Sequence, residues 1–256
     1  MKWPNSLMLI RHDVSAYNVL RDKKRDDQNY KDFLAAWKKD PESELTRALA
    51  YMIYKKFSLG ISDAQTPLAD DEGKQARKTG LELSKRSKLP DVIFVSPYKR
   101  TLLTLHYIME EWKELKKVKV YEDERIREQE HGLSLLYNDW KVFEALHPDQ
   151  RLLRKSEGSY WYRYPQGESV PDVRLRNRSW LSALVRDYAG KNVLVVTQHL
   201  NILATRANLE RWSAEKFIEV DEKDKPKNCS VTTYQGYPKE GADGKLNLEC
   251  YNKIFY

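Results

Sequence analysis

Two histidines, two arginines and a glutamate draw attention because each closes or follows a stretch that reads as a strand. "SLMLIRH" ends in Arg11 and His12. "NVLVVTQHLN" delivers Gln198, His199 and Asn201, and "DVIFVSPYKRT" delivers Ser96, then Lys99 and Arg100 in the first turn of a helix. A fourth piece, "ERIREQEHG", adds Glu128. Gathering such cations at one buried edge is costly unless an anion joins them. Phosphate is the simplest such anion: arginine forks match its oxygens bidentately, and the helix N-terminus after Ser96 supplies backbone donors. A neutral imidazole is a good nucleophile near neutral pH, and neighbouring arginines keep it neutral. The chemistry open to this set is phosphoryl transfer, which needs an in-line nucleophile and concentrated positive charge.

The elements that must position these residues can be read from hydrophobic patterning. "SLMLIR", "DVIFVS" and "NVLVVT" are continuous apolar runs, as central strands buried on both faces require. "KVKVYED", "SVTTYQ" and "KLNLECY" alternate, as expected nearer a sheet edge. Helical patterns lie between them. "ADDEGKQARKTGLELSKRSK" predicts a helix with an acidic first turn and a basic last turn, and "KRTLLTLHYIMEEWKELKK" one that follows a strand directly. "ESVPDVRLRNRSWLSALVRDYAG" predicts a helix ending at a glycine C-cap. The alternation argues an α/β fold: a mostly parallel six-stranded sheet with helices on both faces, hence three layers. Ligands of such sheets bind beyond the carboxyl ends of the strands, where the candidate residues fall. Residues 19–65 hold two further helical patterns, "YKDFLAAWKKD" and "ELTRALAYMIYKKFSLG". They read as a helical insertion or lid within one domain spanning 1–256.

Composition narrows the class. The chain has 256 residues, 41% hydrophobic and 32% charged, which is an ordinary globular mixture. No apolar run approaches the roughly 20 residues of a membrane span, and charge enters the N-terminal apolar stretch where a signal peptide would have none. A cytoplasmic protein with no membrane partner is expected. Cys229 and Cys250 have no metal or redox spacing and read as reduced thiols. The net charge of +7 is spread along the chain, with acids beside the densest runs, so solvated helix faces explain it better than a nucleic-acid surface.

The motifs resemble those of the histidine phosphatase (phosphoglycerate mutase-like) superfamily. "RHDVSAYN" resembles its RHG-x-S-x-x-N signature, "SPYKRT" its second arginine motif, "RIREQEHG" its acid loop and "TQHLN" its second histidine motif. "TPLADDEGKQA" and "YPQGES" resemble two further segments, in the family's order. "FVSPYKRT", "YWYRYPQGES" and "LERWSAEKF" look most like the broad-range acid phosphatase branch. The resemblance implies a phosphoglycerate mutase-like fold and a phosphomonoesterase that needs no cofactor and no metal. His12 would be the nucleophile that becomes phosphohistidine. Arg11, Arg100 and His199 would hold the phosphoryl oxygens, with Asn18, the Gln198 backbone amide and Asn201 as secondary contacts. Glu128 would protonate the leaving alkoxide, with Glu130 as the fallback acid. The partner would be a small phosphorylated substrate, and a homodimer is compatible with such folds.

Two positions depart from the family pattern. Asp13 and Leu200 stand where the family has glycine after each histidine. An aspartate aimed at the phosphate would repel it, so a non-catalytic binder of a phosphorylated ligand stays open as a reading, beside a phosphoglycerate mutase, which would use the same site but return the phosphoryl group to substrate. Glu168 and Ser169 read equally as a helix capping pair, and Tyr17, Tyr160, Trp161, Tyr162 and Tyr164 as core and lid packing.

Overall fold

The computed structural model describes residues 2–69 and 72–256. Asp70 and Asp71, in the "TPLADDEGKQA" segment, lie outside the described residues. The sheet is built from β1 (Ser6–Arg11), β2 (Val92–Val95), β3 (Val120–Glu122), β4 (Asn192–Thr197), β5 (Val231–Tyr237) and β6 (Lys245–Lys253). Their order across the sheet is β3-β2-β4-β1-β5-β6. The pairs β1/β4, β2/β4 and β2/β3 are parallel; β5 runs antiparallel to β1, and β6 to β5. The apolar runs occupy the centre, and the alternating segments supply β3, β5 and β6, of which β3 and β6 form the edges.

The pleat sorts the central side chains to two faces. Leu7, Leu9, Val193, Val195 and Phe94 pack with Trp180, Leu181 and Leu184 of α8 (Val170–Asp187) and Ile202 of α9 (His199–Leu209). Ile10, Ile93, Val95, Leu194 and Val196 face the other way, against α4 (Lys74–Arg86) and α5 (Lys99–Glu111). The result is a three-layer α/β fold. The acidic first turn expected for α4 is corrected: the helix begins at Lys74 behind Gly73, and its first turn carries no acid. The glycine cap expected for α8 is also displaced, because the helix caps at Tyr188 and Gly190 follows in the left-handed region.

The insertion contains α1 (Ala16–Asp26), α2 (Gln28–Lys39) and α3 (Glu44–Lys56). Tyr30, Phe33, Ala50 and Ile53 pack with Val142 and Ala145 of α6 (Trp140–Leu146), a small core of its own. A buried ion pair ties the same helices together: Lys24 Nζ lies 2.7 Å from Asp139 Oδ2. Among the described residues no helix is long and apolar enough to cross a membrane. Cys229 is buried and Cys250 half-buried.

Candidate active site

The carboxyl ends of β1 and β4, adjacent and parallel, bring His12 and His199 to one cavity of about 360 Å³. Arg11, Asn18, Arg100 and Glu128 line it as well. The chain leaves β1 through a hydrogen bond from the His12 amide to the Thr197 carbonyl, 2.9 Å. The imidazole is buried, and its Nδ1 lies 2.6 Å from the Asp13 carbonyl oxygen. A carbonyl can only accept, so Nδ1 carries the proton and Nε2 keeps the lone pair. Burial, reinforced by the charges of Arg100 and Arg11, holds the His12 pKa well below its ordinary value of 6.5. His12 is thus poised as a neutral base and nucleophile.

The two arginines are held differently. Arg11 Nη1 donates to the Pro226 carbonyl at 2.6 Å, while its buried Nε finds no partner among the described residues. Burial lowers its pKa to about 10, with Glu128 opposing, so it stays charged at neutral pH. Arg100, at the start of α5, forks onto Asp63: Nη1 to Oδ1 at 2.9 Å and Nη2 to Oδ2 at 3.1 Å. Asn18 closes a capping box with Ser15 at the start of α1, its Oδ1 accepting from the Ser15 amide at 3.0 Å. The same oxygen accepts from Asn228 Nδ2 at 3.3 Å, and Asn228 also donates to the His12 carbonyl.

His199 opens α9, and its Nε2 donates to Asp221 Oδ1 at 2.5 Å. Burial works to raise the Asp221 carboxyl, but the bond from His199 and the charge of Lys225 prevail and hold it below its usual range. Glu128 Oε1 accepts from the Leu200 amide at 3.2 Å and from the Gln129 amide at 3.0 Å. Its loop is fastened by Arg176 of α8, which donates to the carbonyls of Arg125, Arg127 and Glu128 at 2.8–2.9 Å. Arg176 also grips Glu168. Burial would raise the Glu168 carboxyl, yet Arg176 and Arg127 hold it low. Glu130 binds the Tyr98 hydroxyl at 2.6 Å and Arg127 at 3.3 Å.

Gln198, expected to act through its backbone amide, forms the N-cap of α9, and its side chain is buried and turned to Ser96 Oγ, 2.8 Å. Asn201 does not line the cavity: two residues after His199, within the first turn of α9, it faces α8 and the loop of Glu128, donating to the Arg125 carbonyl at 3.4 Å. The helix period turns position 201 away from the edge where position 199 points. Ser169 forms a capping box with Asp172 at the start of α8.

Both glycine replacements have structural roles. Asp13 has no positive φ; its carboxylate is buried and accepts from the amides of Val14 and Ala76 at 2.6 and 2.8 Å. Leu200 is helical and packs with Leu203, Val170 and Phe217. Sequence reading missed Asp63, Asp221, Asn228 and Arg176. The first three stand on segments without a motif; Arg176 could have been found as the buried-face arginine two turns into α8. Among the described residues no group of three or more His, Cys, Asp or Glu is placed to hold a metal ion.

A family model described as the histidine phosphatase superfamily, branch 1, matches residues 60–248. The chain is 30% identical over 172 residues to phosphoglycerate mutase-like protein AT74 of Arabidopsis thaliana, a match covering 60% of this chain and 52% of that protein. It therefore spans about half the length of that relative. It is 28% identical over 189 residues to phosphoserine phosphatase 1 of Hydrogenobacter thermophilus, covering 74% of this chain and 84% of that protein. A mycobacterial glucosyl-3-phosphoglycerate phosphatase solved with inorganic phosphate has the same fold, with a TM-score of 0.63 at 20% identity over 98% of each chain.

Proposed function

The chain belongs to the histidine phosphatase superfamily, branch 1, and from that premise we propose that it hydrolyses a small phosphomonoester through a phosphohistidine on His12. The observation that carries the reading is the state of His12. Its Nδ1 proton is fixed on the Asp13 carbonyl, and burial, with the charges of Arg100 and Arg11, keeps the ring neutral. Nε2 attacks phosphorus in line with the ester oxygen. Arg11, Arg100 and His199 spread the charge on the equatorial oxygens. Glu128, in its acid form, gives its proton to the departing alkoxide. Water then attacks the phosphohistidine, Glu128 takes the water's proton, and phosphate leaves with His12 regenerated. Residues 19–65, of which Arg21, Arg25, Leu59 and Ile61 share the cavity wall, act as a lid that selects the substrate.

The similarity of phosphoserine phosphatase 1 supports hydrolysis over mutase chemistry. The non-catalytic reading loses its motive, since Asp13 is engaged by α4 and Leu200 needs no glycine conformation. The test is release of p-nitrophenol from p-nitrophenyl phosphate between about pH 4 and 8, comparing the native protein with His12→Ala. Turnover lost in the variant, with acid-labile phosphate trapped on the native chain, is the expected result. Absence of turnover in the native chain, or full turnover in His12→Ala, would overturn the reading.

A further inference from the structure

Arg100 offers its fork to a ligand in the proposed chemistry, yet that fork is already filled. Asp63 Oδ1 and Oδ2 accept from Nη1 and Nη2 at 2.9 and 3.1 Å, in the two-pronged geometry that a phosphoryl group would use. We propose that the Asp63 carboxylate is a stand-in anion, which the phosphoryl group displaces from Arg100, and that Asp63 thereby sets the affinity threshold of the site. The proposal rests on the phosphatase reading above.

The bonding divides into a fixed part and a removable part. The Asp63 backbone carbonyl also accepts from Arg100 Nη1, at 2.7 Å, and holds the guanidinium whatever the side chain does. The turn around it is pinned separately. The Lys99 amide donates to the Ala64 carbonyl at 2.8 Å, and Thr66 Oγ1 to the Ser62 carbonyl at 3.1 Å. Rotation of the Asp63 side chain therefore frees the fork without unwinding the turn. The carboxylate lines the cavity and is 18% exposed, whereas the Arg100 side chain is 5% exposed, so solvent can take the carboxylate back. Left in place, it would repel the incoming dianion. In the resting protein it keeps Arg100 oriented and neutralised, and a weakly binding anion gains little by the exchange.

The experiment is calorimetric titration of inorganic phosphate into the full chain near neutral pH. Asp63→Asn keeps the backbone carbonyl and removes the competing charge. It is expected to bind phosphate about tenfold more tightly than the native protein. The gain is expected to vanish when Arg100→Ala is present in both proteins being compared. Equal or weaker binding by Asp63→Asn, or a gain that survives loss of Arg100, overturns the stand-in role and leaves the phosphatase reading untouched. Phosphate binding by neither protein overturns both. Asp63→Ala, with a thermal melt of each variant, provides the same comparison should the asparagine variant fold poorly.

Discussion

Asp13 Oδ2 accepts a hydrogen bond of 2.8 Å from the backbone amide of Ala76, the third residue of α4. The residue beside His12 thus caps a helix whose own N-cap residue has no side chain. Gly73 stands at the N-cap with φ of 69°, and a Cβ there would lie 2.1 Å from the Tyr107 ring. A serine or aspartate at the N-cap is excluded, and the cap comes from β1's far side instead.

Asp13→Ala leaves the buried amides of Val14 and Ala76 without this acceptor. A loss of about 1–2 kcal/mol is expected, read as a lower urea midpoint. Turnover per folded molecule should stay within about threefold, because no reacting atom is touched. Loss of catalysis without loss of stability would contradict the capping role.

His12 should remain neutral well into acid. An NMR titration is expected to show no inflection of its ring signals near its ordinary pKa of 6.5. The sign for stability follows. Below 6.5 the unfolded chain takes up a proton that the folded chain refuses, so His12 weakens the fold progressively as pH falls. Replacing His12 by Gln should therefore flatten the stability profile on its acid side.

Glu128→Gln should slow hydrolysis of an alkyl phosphate by about 10²–10⁴-fold, the contribution of a positioned acid. The loss should be much smaller with p-nitrophenyl phosphate, whose leaving group needs little protonation. Arg176→Ala should lower kcat in the same leaving-group-dependent way, since it holds the backbone of the Glu128 loop. It should also cost about 1–3 kcal/mol, because Glu168 keeps Arg127 but three loop carbonyls lose their donor. A fall in kcat equal for both substrates would argue against this route.

Lys24→Met removes the partner of Asp139, which also accepts from the Tyr30 hydroxyl at 2.7 Å. The pair is nearly water-free, with side chains 3% and 8% exposed, so the expected cost is about 3–5 kcal/mol in urea unfolding. Proteolysis should then start in the α2–α3 hairpin. A stability loss under about 1 kcal/mol would mark the pair as an ordinary surface bridge.

The strands were legible because their composition and their period agree. Leu7 and Leu9 face one layer, Ile10 the other, and the whole run is apolar as a doubly covered strand must be. The edge-forming β6 was legible for the converse reason, its alternation. Residues at strand ends were legible too, because position along a parallel strand fixes which edge they reach. Asn201 turns from the cavity because motif spacing carries no information about helix phase: two residues past His199 it faces α8. Asp63 and Asp221 were invisible because each meets a partner far along the chain, Arg100 at a separation of 37 residues and His199 at 22, and only tertiary packing says which aspartate meets which partner.

The core shared by α2, α3 and α6 has no residue in common with the two cores that sandwich the sheet. The hairpin follows the strand that leads into His12 by way of α1, whose Lys24 pairs with Asp139 beside α6. A chain divided in this way can exchange one part and keep the other. Substitutions at Arg21, Arg25, Leu59 and Ile61 would reshape the cavity wall while the sheet ends beside His12 and His199 stay in place, so, on the proposed reading, descendants of this sequence can diverge in diet before they diverge in chemistry.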